Sequence, residues 1–391
     1  MEKKFFIYYV ITLVITSICG CGAQTNYTSV DKNEKGVIVF DLTEALENVP
    51  VPIDEMIDSI KIIPLESSRE SLLSYIYNLH VSTQNIFIWD LHTGINIFDH
   101  QGKFIKKIDN GTGPKEIGVP GAMSYDEENK LLYVYDISGN KIVKFNSEGV
   151  FLSYNPLDRM TAIRDIDIAN NTMLVAQEEP DKSFTISAGD TTGYVFDTFV
   201  LGNYQYPFAF RKFIMRYDGG FNIKSMLDNN IYYYKDNTIK AKYELKYPMA
   251  NIDYAKYERM LNMEQDIPNG KYIFEGEYLE SKDYLYTCLV SNNKGKLLFT
   301  HKTTGKSVCF TAKQCSLTMF MSIEDVYLDN DNWFVGIILP EKIVSYDIPK
   351  DYRWDGSNLN DKISDKDMEK LRAIKSDDNP MIVLYKLKSK I

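Results

Sequence analysis

The feature that most constrains this chain is an internal repeat. Asn85-Ile-Phe-Ile-Trp-Asp90, Ile95-Asn-Ile-Phe-Asp99 and Gln101-Gly-Lys-Phe-Ile105 are matched by Lys130-Leu-Leu-Tyr-Val-Tyr-Asp136, Lys141-Ile-Val-Lys-Phe145 and Glu148-Gly-Val-Phe-Leu152. Each copy reads as a strand ending in Asp, a short turn, a second strand, an x-Gly turn and a third strand. Asp90 and Asp136 lie 46 residues apart, the length of a four-stranded propeller blade. Such a blade is a twisted antiparallel sheet that cannot cover both its faces, so stability requires a ring of them. Ile86 and Ile88 on one parity and Phe87 and Trp89 on the other fit a sheet with neighbours on both sides.

Weaker copies extend the pattern. They begin at Asn171-Thr-Met-Leu-Val-Ala176, Asn230-Ile-Tyr-Tyr-Tyr234, Asp283-Tyr-Leu-Tyr-Thr-Cys288 and Val326-Tyr-Leu-Asp329, giving six in all. The fold expected is an all-β six-bladed propeller of four-stranded antiparallel blades with short helical insertions. Asp253–Asn262 is one candidate helix. Ser364–Lys375 is the other, with Ser364 as N-cap, Asp367 in a capping-box position and Ile363 and Met368 at staple positions. Met381–Leu387 is a terminal strand whose partners are the last blade and an N-terminal strand, either Gly36–Phe40 or Ile60–Leu65. That pairing closes the ring and removes its open edge.

The N-terminus is a sorting signal. A basic start, Met1-Glu-Lys-Lys4, precedes an uncharged run from Phe5 to Ile18, short for a membrane span and suited to a secretory apolar region. Ile18-Cys-Gly-Cys21 follows. The expected organisation is a signal peptide over 1–20, a flexible polar tether over 21–35 and one propeller domain over 36–391. The formal charge is −10, about −11 once residues 1–20 are removed, so the basic footprint of a nucleic-acid binder is lacking. Aromatic residues make up 13%, with 28 tyrosines, which excludes disorder and assigns most of the rings to packing between blades.

These residues together resemble the six-bladed β-propeller lipoproteins of gut and oral Bacteroidetes, related in fold to NHL and TolB-type propellers. The resemblance is carried by the lipobox-like Ile18–Cys21, the opening Phe40-Asp-Leu-Thr-Glu-Ala-Leu-Glu-Asn48, and Ile60-Lys-Ile-Ile-Pro-Leu-Glu66. Ile97-Phe-Asp-His-Gln-Gly-Lys-Phe-Ile105, the loop Gly111-Thr-Gly-Pro-Lys-Glu116 and the closing Asp378-Asn-Pro380 add to it. It is strongest over residues 36–155 and loose from about 180 to 330. It implies that Cys21 is the first mature residue, acylated and membrane-anchored. With no dense acidic run after Cys21, the expected location is the outer membrane of the cell envelope, facing the periplasm, with exposure at the cell surface as the alternative. Members more often carry Gly at the position of Lys115, which counts against a backbone role requiring positive φ there.

Catalytic motifs are scarce. Gly111–Glu116 lacks the Gly-Lys-Ser/Thr ending of a phosphate loop and reads as an inter-blade turn. His92 and His100 lie in or beside the turns of one blade, where they could approach each other; solvated hairpin residues are the plainer reading. No Gly-x-Ser-x-Gly or His-Glu-x-x-His occurs. Cys288, Cys309 and Cys315 lack zinc spacing and read as small buried side chains, or as one disulfide with Cys288–Cys309 among the candidate pairs.

Asp90, Asp136 and either Asp165 or Asp167 fall at or near strand ends in successive blades. A ring would gather them on one rim to hold Ca²⁺, as in lactonase-type propellers, or a sugar. Alternatively each caps its own turn. Trp89, Tyr133 and Tyr135 would be stacking platforms for a glycan or inter-blade core. The expected function is a lipid-anchored envelope module that binds or scaffolds a glycan or envelope protein, with Asp90, Asp136, Trp89 and Tyr135 as ligand-binding candidates. The alternative is a Ca²⁺-dependent hydrolase, which three or more carboxylates converging on the channel would favour.

Overall fold

In the computed structural model the described residues are 31–32, 36–111, 113, 115–157, 163–178, 183–193, 195–203, 212–224, 229–252, 265–292, 294–311, 322–327, 332–344 and 362–389. The expected signal peptide, Cys21, the Asp253–Asn262 helix and Cys315 lie outside them. Six sheets form, each with a four-stranded antiparallel blade at its centre. Blade 1 runs Ile76–Val81, Asn85–Asp90, Gly94–Asp99 and Phe104–Ile108; blade 2 runs Pro120–Asp126, Leu131–Asp136, Lys141–Asn146 and Phe151–Pro156. The repeat seen in the sequence is therefore the second, third and fourth strands of each blade.

Blades 3, 4 and 5 begin on the innermost strands Ile163–Ala169, Ile214–Tyr217 and Ile273–Glu280. Blade 6 takes Asp325–Val326, Trp333–Ile338 and Met381–Leu387, and its outer strand is Ile57–Pro64, from the other end of the chain. Of the two closing candidates, the segment containing Ile60–Leu65 closes the ring. Its eight-residue strand pairs antiparallel along the whole of Met381–Leu387, from Met381 opposite Pro64 to Leu387 opposite Ile57. The strand Ile38–Asp41 has only four residues and lies instead parallel to the outer strand of blade 4, Thr238–Lys246. Val51–Pro52 adds likewise to the outer strand of blade 5, Ser307–Thr311. The N-terminal segment thus straps three consecutive blades. Asp31–Lys32, assigned to the tether by sequence, pair with Val39 and Ile38.

Parity works as the sequence requires. Ile86 and Ile88 pack toward blade 6, whereas Phe87 and Trp89 pack toward blade 2 against Leu132 and Val134. Tyr133 and Tyr135 point the other way, into the blade 2–blade 3 interface. Among the described residues the rings of Tyr125, Tyr133, Tyr284, Tyr286 and Tyr385 are fully buried, which is where part of the tyrosine excess goes. Between blades 5 and 6, Phe299 meets Phe310 with ring centroids 4.7 Å apart and Phe334 at 5.1 Å.

At the seam, Gly102 has φ +82° and a Cβ there would lie 1.9 Å from the Pro64 carbonyl oxygen, so only glycine lets the blade 1 turn touch the closing strand. Asn379, from the predicted closing motif, donates to the carbonyls of Glu66 and Ser71 and accepts from the Leu73 N–H. The predicted C-terminal helix forms over Asp365–Ala373, with the Ser364 hydroxyl accepting from the Asp367 N–H. Cys288 and Cys309 are buried and are not joined to each other. They face Leu297 and Leu298 on the strand between them, and two strand spacings, about 10 Å, exceed disulfide reach. Among the described residues no helix is long and apolar enough to cross a membrane.

Candidate functional site

Strand order makes the two faces of the ring unequal. On one face, turns join the first strand to the second and the third to the fourth, and none of these connections exceeds six residues. The other face carries the links from each blade to the next and from second strand to third. Among their described residues are 65–75, 109–111, 115–119, 247–252, 265–272, 322–324 and 339–344, whereas 362–373 lies along the outer strand Ile57–Pro64. Long connections on a rigid scaffold are where binding residues concentrate. Leu72, Tyr75, Leu91, Val119, Ile137, Met249 and Val344, all exposed, lie on this face.

Between blades 6 and 1 this loop face holds a cavity of about 410 Å³, a size suited to a small ligand. Its walls are Leu73–Ile76 before and at the start of blade 1, Ser322 and Glu324 leading into blade 6, Ile337, Leu339, Glu341, Lys342 and Pro380. Asp90 stands behind the wall. Its carboxylate accepts from the N–H of Ser74 (2.5 Å), Tyr75 (2.7 Å), His92 (3.0 Å) and Thr93 (2.8 Å), and from the Ser74 hydroxyl. Burial pushes the carboxyl up, and the four N–H groups outweigh it, holding Asp90 below its ordinary pKa.

Asp136 does the same in blade 2, accepting from the N–H of Val119 and Ser138 and pairing with Lys141 at 3.5 Å. Both aspartates cap turns. Trp89 is buried against Tyr77, with ring centroids 4.3 Å apart, and Tyr135 is buried with its hydroxyl on Asn140. Neither presents a ring to solvent. Of the four sequence candidates, Asp90 touches the cavity wall from behind, and none gathers with another on a rim. His92 and His100 lie at opposite ends of the strand Gly94–Asp99 and do not meet; His100 bonds the Ser82 carbonyl. Gly111, Gly113, Lys115 and Glu116 lie in the link between blades 1 and 2, where the Glu116 carboxylate accepts the Gly113 N–H.

We expect Asp90→Ala to lower the unfolding free energy by about 2–4 kcal/mol, because several N–H groups lose their acceptor. Amide exchange at Ser74 and Tyr75 should accelerate in the same variant. Unchanged exchange at both positions would show that the carboxylate does not hold this wall.

Three carboxylates do converge on the central channel. Asp165 and Asp167 come from the innermost strand of blade 3 and Asp325 from that of blade 6, around a cavity of only about 40 Å³. Asp165 accepts the N–H groups of Phe213 (2.6 Å) and Ile214 (2.8 Å). Asp167 accepts from Ser124 and pairs with Arg216 at 3.0 Å; the Arg216 guanidinium also bonds the Tyr125 carbonyl. Asp325 pairs with Lys212 at 2.7 Å and His80 at 3.5 Å. Opposing burial, Lys212 and His80 hold Asp325 well below the carboxylate range, whereas burial pushes Asp165 up to about 7. This space admits a few waters and no sugar ring. The group acts as a bolt joining blades 1, 2, 3, 4 and 6. Among the described residues no three His, Cys, Asp or Glu are arranged to hold a metal ion.

Sequence reading named Asp165 and Asp167 but missed Lys212, Arg216 and Asp325. The available signal was charge inside an apolar strand, as in Ile163-Arg-Asp-Ile-Asp-Ile168. Comparison with known proteins gives a family and a fold. A family model described as "Domain of unknown function (DUF4934)" matches residues 37–386. A Bacteroides fragilis protein of solved structure, described as exported, is similar at TM-score 0.66 and 14% identity, covering 90% of this chain and 99% of that one. A member of the DUF4221 family from Bacteroides vulgatus is similar at TM-score 0.48 and 10% identity, over 85% of this chain and 97% of that one. No curated protein matches.

Proposed function

The chain belongs to the DUF4934 family, and we propose that it is a cell-envelope binding module whose ligand enters the loop-face cavity between blades 6 and 1. The observation that carries this reading is the 410 Å³ space on the face where the longest links leave their strands and where Leu72, Tyr75, Leu91, Val119, Ile137, Met249 and Val344 are exposed. A propeller of the same fold described as exported supports an envelope location. Lipid attachment at Cys21, with the ring held at the outer membrane facing the periplasm, belongs to the same proposal and rests on Ile18-Cys-Gly-Cys21. Glycans and envelope proteins remain the partner classes to test.

The test is binding of the full chain, purified in detergent, to panels of neutral and charged glycans and peptides. Tyr75→Ala on the loop face should weaken the captured ligand about tenfold or more, roughly 1.4 kcal/mol. Val150→Asp, on the short-turn face, should leave it unchanged. Absence of any ligand, or loss only with Val150→Asp, overturns the proposal. A Ca²⁺-dependent hydrolase would draw on Asp165, Asp167 and Asp325. It stands second because each of these already has N–H or cationic partners, and a rise in Tm on adding Ca²⁺ would favour it.

A further inference from the structure

We infer that the cavity between blades 6 and 1 selects ligands carrying an ammonium or guanidinium group on an apolar body, with Glu324 and Glu341 as its counter-charges. This rests on the cavity being the ligand site. Leu73, Ile76, Ile337, Leu339 and Pro380 supply apolar wall, and Tyr75 exposes its ring at the lip. Glu324 and Glu341 line the same space, and among the described residues neither side chain makes a hydrogen bond or ion pair. Glu324 is fixed in place: its N–H donates to the Val335 carbonyl at 2.8 Å as the chain enters blade 6. Among the described residues the one cation in the lining, Lys342, already has a partner.

A half-buried carboxylate without a partner favours an incoming cation, and repels an anion, more strongly than one in open water. An aromatic face beside it adds attraction for the same charge. The volume of about 410 Å³ fits a few residues of peptide or one or two sugar rings. A uronic acid, sialic acid or phosphate would meet two carboxylates with no free cation among the described residues. The shared chemistry is therefore a cationic group on a partly apolar body, whether it comes from a basic peptide side chain or from an amino sugar.

The experiment measures affinity of the full chain in detergent for four probes: N-acetyl-Leu-Lys-Leu-amide, its Gln counterpart, glucosamine and glucose. At least one ammonium probe should bind tenfold or more tightly than its neutral counterpart, and increasing salt should weaken it. Which of the two binds identifies the source. Glu324→Gln should reduce that affinity about tenfold and leave the Tm unchanged, since the side chain holds nothing in the free protein. Equal affinity for neutral and ammonium probes, binding of neither ammonium probe, or an unaltered affinity in Glu324→Gln each overturns the inference. Tyr75-dependent binding of a neutral ligand would do so while leaving the binding-module reading intact.

Discussion

Replacing Glu280 by alanine should lower the unfolding free energy by about 3–5 kcal/mol, the cost of stranding two partly buried cations beside an emptied, fully buried carboxylate site. The Glu280 carboxylate is wholly inaccessible to solvent and accepts from Asn222 (2.7 Å), Lys242 (2.9 Å), Tyr243 (3.0 Å), Tyr278 (2.6 Å) and Lys302 (2.9 Å). The first three come from blade 4 and the others from blade 5, so one carboxylate joins two blades. Lys242 sits among the rings of Tyr217, Tyr233 and Tyr243 at 4.1, 4.9 and 4.8 Å. Without the carboxylate, two ammonium groups would share that enclosure.

Burial pushes the Glu280 carboxyl up, but Lys242 and Lys302 outweigh it and hold the pKa below its ordinary value. The stability this group contributes is therefore full above the unfolded value, about 4.3, and is lost as pH falls through the lower native value. Glu280→Gln keeps an acceptor but not the charge, and should fall between wild type and alanine. Urea denaturation measures all three. A Glu280→Ala protein within about 1 kcal/mol of wild type would mean that the cluster does not hold blades 4 and 5 together.

The second large effect is a dependence on pH of opposite sign. Asp165 is raised to about 7 because burial outweighs the N–H groups of Ile214 and Phe213 and the more distant Lys212. Between about 4 and 7 the native carboxyl holds a proton that the unfolded chain has released, so stability falls as pH rises through that window. Asp165→Asn is neutral at every pH, and its amide oxygen can still accept from Phe213 and Ile214. The stability difference between wild type and Asp165→Asn should therefore shift by up to about 4 kcal/mol between pH 4 and pH 8, with wild type favoured at the acid end. Denaturation across that range decides it. A difference independent of pH would show that Asp165 stays ionised and that its N–H donors prevail.

Legibility in the sequence followed burial. Asn85–Asp90 and Leu131–Asp136 are covered on both faces, so their alternation survives as Ile-Phe-Ile-Trp and Leu-Tyr-Val-Tyr and can be read directly. Met381–Leu387, buried almost throughout, appears with the bounds the apolar run suggests, and Ser364 caps its helix as its spacing requires. The innermost strands were harder to see. Asn78 and His80 in blade 1, Ser124 in blade 2 and Asp165 and Asp167 in blade 3 line the channel, and polar residues there interrupt the apolar alternation that marks a strand. Asp90 was visible as a recurring residue, but its partners Ser74 and Tyr75 lie upstream of the repeat and look like loop.

The order of residues alone determines the ring of six blades, the parity that assigns Ile86 and Phe87 to opposite neighbours, and a closure between the two ends of the chain. Each follows from local periodicity, which every strand carries within itself. Tertiary structure decided what meets across blades. Ile57–Pro64 rather than Ile38–Asp41 closes the ring because only the longer strand matches its partner. Lys212 and Asp325 form one ion pair although 113 residues separate them. The Tyr75 ring and the Glu324 carboxylate line one cavity because ring closure sets blade 6 against blade 1. Contacts of that kind depend on the distance between strands folded far apart in the chain, and no local pattern records that distance.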